Sequence, residues 1–149
     1  MRLDIHKSNR KGGIVSLLTL ALCILIFVFR LGGFPNIERG LGVFFLVLGI
    51  PFIYLLWGAR VQQRPKLYYI QLAAILLFIL IELLLDYILM IDFRSIRWMT
   101  ILYVMCFFAG TGGLIGIASL AGKRWGTAAI VLFLVMTFLA FFQRAKTGM

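Results

Sequence analysis

The stretch 67-LYYIQLAAILLFILIELLLDYILMI-91 decides the fold. A helix needs about 20 mostly apolar residues to cross the hydrocarbon core of a bilayer. This run is long enough and contains no Lys or Arg. It lacks the alternation of apolar and polar residues that marks a barrel strand. Inside lipid every backbone N–H and C=O must find its partner within the chain, so a run of this kind is read as a helix.

Four further runs flank it, at 14–31, 41–57, 98–121 and 125–142, making five in all. The second and fifth are close to the lower limit of roughly 17 residues. If one of them does not cross, the spans number four and the C-terminus changes side. The connections are short and carry breakers: Gly32, Gly33 and Pro35 after the first run, Pro65 before the third, Gly122 after the fourth. Short links make successive helices antiparallel neighbours. Pro51 lies inside the second run, where it is expected to kink the helix. The fold class is therefore all-α, a polytopic integral membrane helical bundle with five predicted transmembrane helices. Residues 1–13 read as a basic cytoplasmic tail, 14–142 as the bundle and 143–149 as a short C-terminal tail.

Composition agrees. Of 149 residues, 63% are hydrophobic and 13% charged. A soluble domain averages roughly 45–50% apolar and about 25% charged. One of this size would have too large an exterior to hide so much apolar surface. The net charge of +10 lies in the segments between apolar runs. That pattern fits anchoring and orientation in a lipid bilayer and excludes a nucleic-acid surface. With the N-terminus inside, the inner side holds nine Lys and Arg (residues 2, 7, 10, 11, 60, 64, 66, 123 and 124) and the outer side six (30, 39, 94, 97, 144 and 146). The bias favours the N-terminus inside at the plasma membrane. The N-terminal segment starts like a signal peptide, but its apolar stretch is long and no small-x-small cleavage site follows, so it reads as a retained helix.

Glu82 and Asp86 interrupt the decisive run. Residues four apart share a helix face. Gln71, eleven residues before Glu82, falls within about 20° of the same face. Measured from residue 91, Glu82 lies about 13 Å deep and Asp86 about 7–8 Å. An Asp at the centre of a span costs at least about 2.5–3.5 kcal/mol on insertion scales. The two acids are therefore expected to point inward and to be paired or neutralised. Gln71, Glu82 and Asp86 are the expected ion or proton site. Arg30, Arg94 and Arg97 are the cations at the same end, with Arg30 and Arg97 the expected partners of Asp86. Tyr103, on the fourth run, is expected level with Asp86.

The fourth run contains 109-AGTGGLIGIAS-119. Ala109, Gly112, Gly116 and Ser119 form a stripe of small residues, with GxxxG at its centre. Small residues let helices approach closely in lipid, within one chain or between copies. Gly110, Thr111, Gly112 and Gly113 look like a phosphate loop but lack its GK[ST] ending. The single His6 and the isolated Cys23 and Cys106 supply no ligand set for zinc or haem. No metal and no cofactor are expected.

Two functions follow as expectations. One is a non-enzymatic transport or channel module, or a subunit of a membrane complex, acting through the intramembrane acids. A chain this short, without an internal repeat, would then need a homo-oligomer or a membrane-complex partner. The other is a membrane-embedded enzyme on a lipid or isoprenoid substrate, with Glu82 and Asp86 as acid and base and the arginines holding phosphate. A purely scaffolding protein is the third outcome.

Overall fold

The computed structural model describes residues 2–148, with nothing to say of the side chains of residues 2 and 3. Helices account for nearly all of it, and no strand occurs among the described residues. The helices are α1 (Arg2–Gly32), α2 (Pro35–Val47), α3 (Gly49–Val61), α4 (Lys66–Glu82), α5 (Arg97–Ser119) and α6 (Lys123–Thr147). A π-helical turn, Leu83–Ile88, continues α4, and a 3-10 turn, Phe93–Ser95, precedes α5. Five segments are long and apolar enough to cross a membrane: Asp4–Gly32, Pro35–Val61, Lys66–Ile88, Arg97–Ser119 and Lys123–Thr147.

The second and fifth segments are longer than the apolar runs that reveal them. Pro35 opens α2, where its missing N–H costs nothing and its fixed φ suits the helix. The break between α2 and α3 falls at Leu48 rather than at Pro51. A proline ring clashes with the carbonyl four residues back, here that of Val47, so the interruption precedes the residue that causes it. At the ends, residues 2–13 and 143–147 are helical, not tails. Gly12 and Gly13 leave α1 unbroken because they serve as contact points. A Cβ on Gly13 would lie 2.8 Å from that of Ala121.

Gly33, at φ +75°, turns the chain after α1. The N–H of Phe34 donates to the carbonyl of Phe29 at 3.0 Å, closing a Schellman-type end that only a glycine-like conformation permits. Gly122, at φ +140°, is the N-cap residue where the chain turns into α6.

Four columns form a square: α1, then α2 with α3, then α4, then α5, which packs back on α1. α1 and α4 are diagonal and parallel, and α4 with α5 is the closest pair. α6 lies outside the square, in the groove between α1 and α5. The core comprises Phe45, Phe52 and Leu55 from α2 and α3, Leu72, Ile75 and Phe78 from α4, and Phe107, Leu114 and Ile117 from α5. We call the end with the N-terminus and the turn at 62–65 the N-terminal end, and the other the distal end.

α5 meets α4 through Gly110, Gly113 and Gly116. A Cβ on Gly110 would stand 3.2 Å from backbone atoms of Ala74 and Ile75, and one on Gly116 would collide with the Gln71 carboxamide. These positions step by three, so the line of contact drifts across the face as crossing helices require. The expected stripe steps instead through Ala109 and Gly112. Ala109 is exposed. Gly112 and Ser119 lie toward α6: Gly112 near Phe133, and Ser119 against Gly126.

Candidate functional site

Glu82 is the last α-helical residue of α4, and Asp86 lies in the π turn. The wider turn shows in the N–H of Leu89 donating five residues back to Leu84 at 2.8 Å. π turns inside helices are rare and recur at functional sites. Glu82 and Asp86, four residues apart, lie one turn from each other on one side of the helix.

The helix ends at Ile88, not at residue 91. Met90 takes φ +48°, and the chain folds back so that Phe93 is fully buried. Arg94 then reaches Asp86 with both prongs: Nη1 donates to Oδ1 at 3.2 Å and Nη2 to Oδ2 at 3.0 Å. Its guanidinium carbon lies 4.7 Å from the centre of the Phe93 ring. Thr100 Oγ1 sits 3.2–3.3 Å from the carbonyls of Phe93, Arg94 and Ile96, fastening this loop to the start of α5. Arg94 lies beyond the apolar segments. Burial alone would lower its pKa, but the hydrogen bond and charge of Asp86 outweigh it and hold the guanidinium above its usual range.

Tyr103 completes the group from α5. Its hydroxyl donates to Glu82 Oε2 at 2.5 Å. Its ring packs 4.8 Å from Phe93 and 5.4 Å from Phe78, centre to centre. Glu82, Tyr103, Phe93, Arg94 and Asp86 thus form one connected chain of contacts at the distal end. On the far side, Tyr87 donates to the carbonyl of Arg39 at 3.3 Å, with its hydroxyl in the space that a side chain at Gly42 would fill. That contact pins the π turn to α2.

Of the three expected cations, Arg94 serves Asp86. Arg30 is taken by Glu38: its Nε and Nη2 both lie 2.5 Å from Oε1. The Gly33 turn brings these two ends together, so the local partner wins. Arg97 is exposed at the first position of α5. Gln71 shares the helix face of Glu82 but not its site. It lies eleven residues, about 16 Å, toward the N-terminal end, over Gly113 and Gly116. Because α4 and its π turn stop at Ile88, Glu82 is about 9 Å from the helix end, shallower than its position in the apolar run suggests. The same shortening moves the hairpin register by about one turn. Tyr103 therefore meets Glu82, not Asp86. Phe93 and Thr100 gave no signal in the sequence, since their roles come from the re-entrant loop.

No family model, curated protein or solved structure matches the chain.

Proposed function

We propose that the chain is an integral membrane protein crossing the plasma membrane five times, N-terminus inside. We propose further that it works as a non-enzymatic transport or channel module, or as a membrane-complex subunit, through Glu82 and Asp86. Membrane residence is supported by the bundle's exterior, which carries exposed side chains such as Trp57, Ile50 and Phe138 at 66% accessibility or more. Lys and Arg are denser at the N-terminal end. Nine cations there stand against Asp4 alone, whereas six at the distal end stand against Glu38, Glu82, Asp86 and Asp92. Lys and Arg near span ends favour the cytoplasmic side.

One observation carries the functional reading. Two carboxyls lie one turn apart on the same helix, and one guanidinium, already held by both prongs on Asp86, serves the pair. If both acids ionised, one negative charge would remain uncompensated among aromatic rings. A proton or a bound cation removes that charge, and Glu82 is the group that takes it, because Arg94 is held by both oxygens of Asp86 and no guanidinium is paired with Glu82 among the described residues. A group that gains and loses one positive charge in a half-buried place is what proton or cation handling requires. The enzyme reading loses two of its three phosphate holders: Arg30 and Arg94 are engaged by carboxylates, and only Arg97 is left for that role.

A hydrophobic carbodiimide tests this in proteoliposomes. Such reagents modify protonated carboxyls in apolar surroundings. Glu82 should be the modified residue, with less modification as pH rises. Glu82→Gln should abolish the reaction and any proton flux the vesicles show, while thermal stability holds. Wild-type protein left unmodified at Glu82 from mildly acidic to neutral pH would overturn the proposal.

A further inference from the structure

α1 presents an unusual face to the centre of the square. Asn9, Gly12, Ser16, Thr19 and Cys23 recur at steps of three and four, so they form one line. Ser16 and Thr19 are fully buried, and Cys23 is nearly so. The other three columns face the same axis with Phe52, Leu55, Leu72, Ile75, Leu114 and Ile117. α1 and α4 run parallel, and Gly12 stands level with Tyr68, whose hydroxyl lies 4.0 Å from where a Gly12 Cβ would be. Equal rise then sets Ser16 level with Leu72, Thr19 with Ile75 and Cys23 with Ile79. So α1 is polar at the depths where α4, between Gln71 and Glu82, is apolar. The line ends at Cys23, which this register sets about one turn short of Glu82, the rise of three residues from Ile79.

A second observation is independent of the spacing. The Ser16 hydroxyl is fully buried and has no hydrogen-bond partner among the described residues. Asn9 Oδ1 has none, and the Tyr68 hydroxyl, with Ser8 nearby, makes no bond of ordinary geometry. Thr19 gives its proton to the Val15 carbonyl at 2.7 Å, which leaves its oxygen free to accept. Buried polar atoms without protein partners are normally met by water. Three such oxygens, those of Asn9, Ser16 and Tyr68, fall with the free lone pairs of Thr19 along the axis of the bundle.

We infer that this face of α1 is a hydrated track, a file of waters from Tyr68 and Asn9 past Ser16 and Thr19 to Cys23 and Glu82. It rests on the proposed role of Glu82 and gives that role a direction: the proton exchanges with the N-terminal end. A proton passes from the last water to Glu82 Oε1, the oxygen not bonded to Tyr103, and each water regains one from its neighbour. The track spans about 21 Å, the rise of fourteen residues from Asn9 to Cys23.

Hydroxyl-radical footprinting of the protein in proteoliposomes, read by mass spectrometry, tests the track directly. Radicals made from water label side chains beside it. Tyr68 and Cys23 should be oxidised despite their burial, whereas Met136, fully buried and intrinsically reactive, should be spared. Thr19→Val keeps the side chain's shape and removes its oxygen. It should lower oxidation at Cys23 several-fold and leave Tyr68, at the mouth, unchanged. Should Thr19→Val fail to fold, Ser16→Val is read the same way. Protection of Tyr68 and Cys23 equal to that of Met136 overturns the track. If Glu82 still reacts with carbodiimide in that case, the acid site stands and only its route is wrong.

Discussion

Gly110 and Gly112 lie two residues apart in α5 and have opposite roles, so alanine at each gives a paired prediction. At Gly112 a new Cβ would find its nearest neighbour 3.9 Å away, in the Phe133 ring, which is ordinary contact. The substitution should then show only the helix preference of Ala over Gly, about 1 kcal/mol in its favour. At Gly110 the Cβ would sit 3.2 Å from the Ala74 carbonyl oxygen, the Ile75 Cα and the Phe78 Cβ. Two of these are backbone of α4 and cannot swing aside. The helices must part by a few tenths of an ångström, and overpacking of this kind costs about 1–3 kcal/mol. Both sites are inside one helix, so the propensity gain cancels in the comparison. Gly110→Ala should therefore be less stable than Gly112→Ala by about 1–3 kcal/mol. Reversible unfolding in mixed micelles, by SDS titration with far-UV circular dichroism, measures the difference. Equal stability within about 0.5 kcal/mol would refute the reasoning, since it would mean that α4 and α5 do not touch at Gly110.

Two other outcomes follow from the distal end and the topology. Arg94→Lys should lose the two-pronged contact with Asp86 and the stacking on Phe93, destabilising the protein by about 1 kcal/mol or more in the same titration; the pair is partly exposed, so solvent screening limits the loss, and an unchanged midpoint would show that the loop stays in place without it. Reporter tags at the two termini should lie on opposite sides of the membrane, and finding them on one side would rule out five crossings.

The sequence makes the five span-length segments legible because apolar length is a local property. Their limits were less so. Apolar runs mark hydrophobicity, whereas a helix continues through Arg, Lys and Gly as long as its backbone bonds close. α1 does this through its basic first turns. The small residues of α5 were visible too, but which of them face α4 depends on the crossing angle. A spacing of four reads as one face, and the contact in fact advances by three.

The acidic site divides along the same line. That Glu82 and Asp86 would lie on one side of the helix follows from their spacing, which the π turn alters but does not undo. Their partners depend on where the helix stops, and nothing in 83-LLLDYILMI-91 distinguishes residues that close a π turn from residues that begin a loop. The stop decides everything after it. It pulls the hairpin in by about one turn, sets Tyr103 on Glu82, and turns Phe93 inward so that Arg94 lies over it and against Asp86. Arg30, level with the acids in sequence terms, is instead captured eight residues away by Glu38 across the Gly33 turn. The consequence is chemical as well as geometric. Had Arg30 also reached the pair, two cations would have balanced two carboxylates and left Glu82 nothing to exchange. The Gly33 turn, by giving Arg30 a nearer partner, leaves one guanidinium beside two acids, and the proposed exchange of a proton or a cation at Glu82 rests on that imbalance.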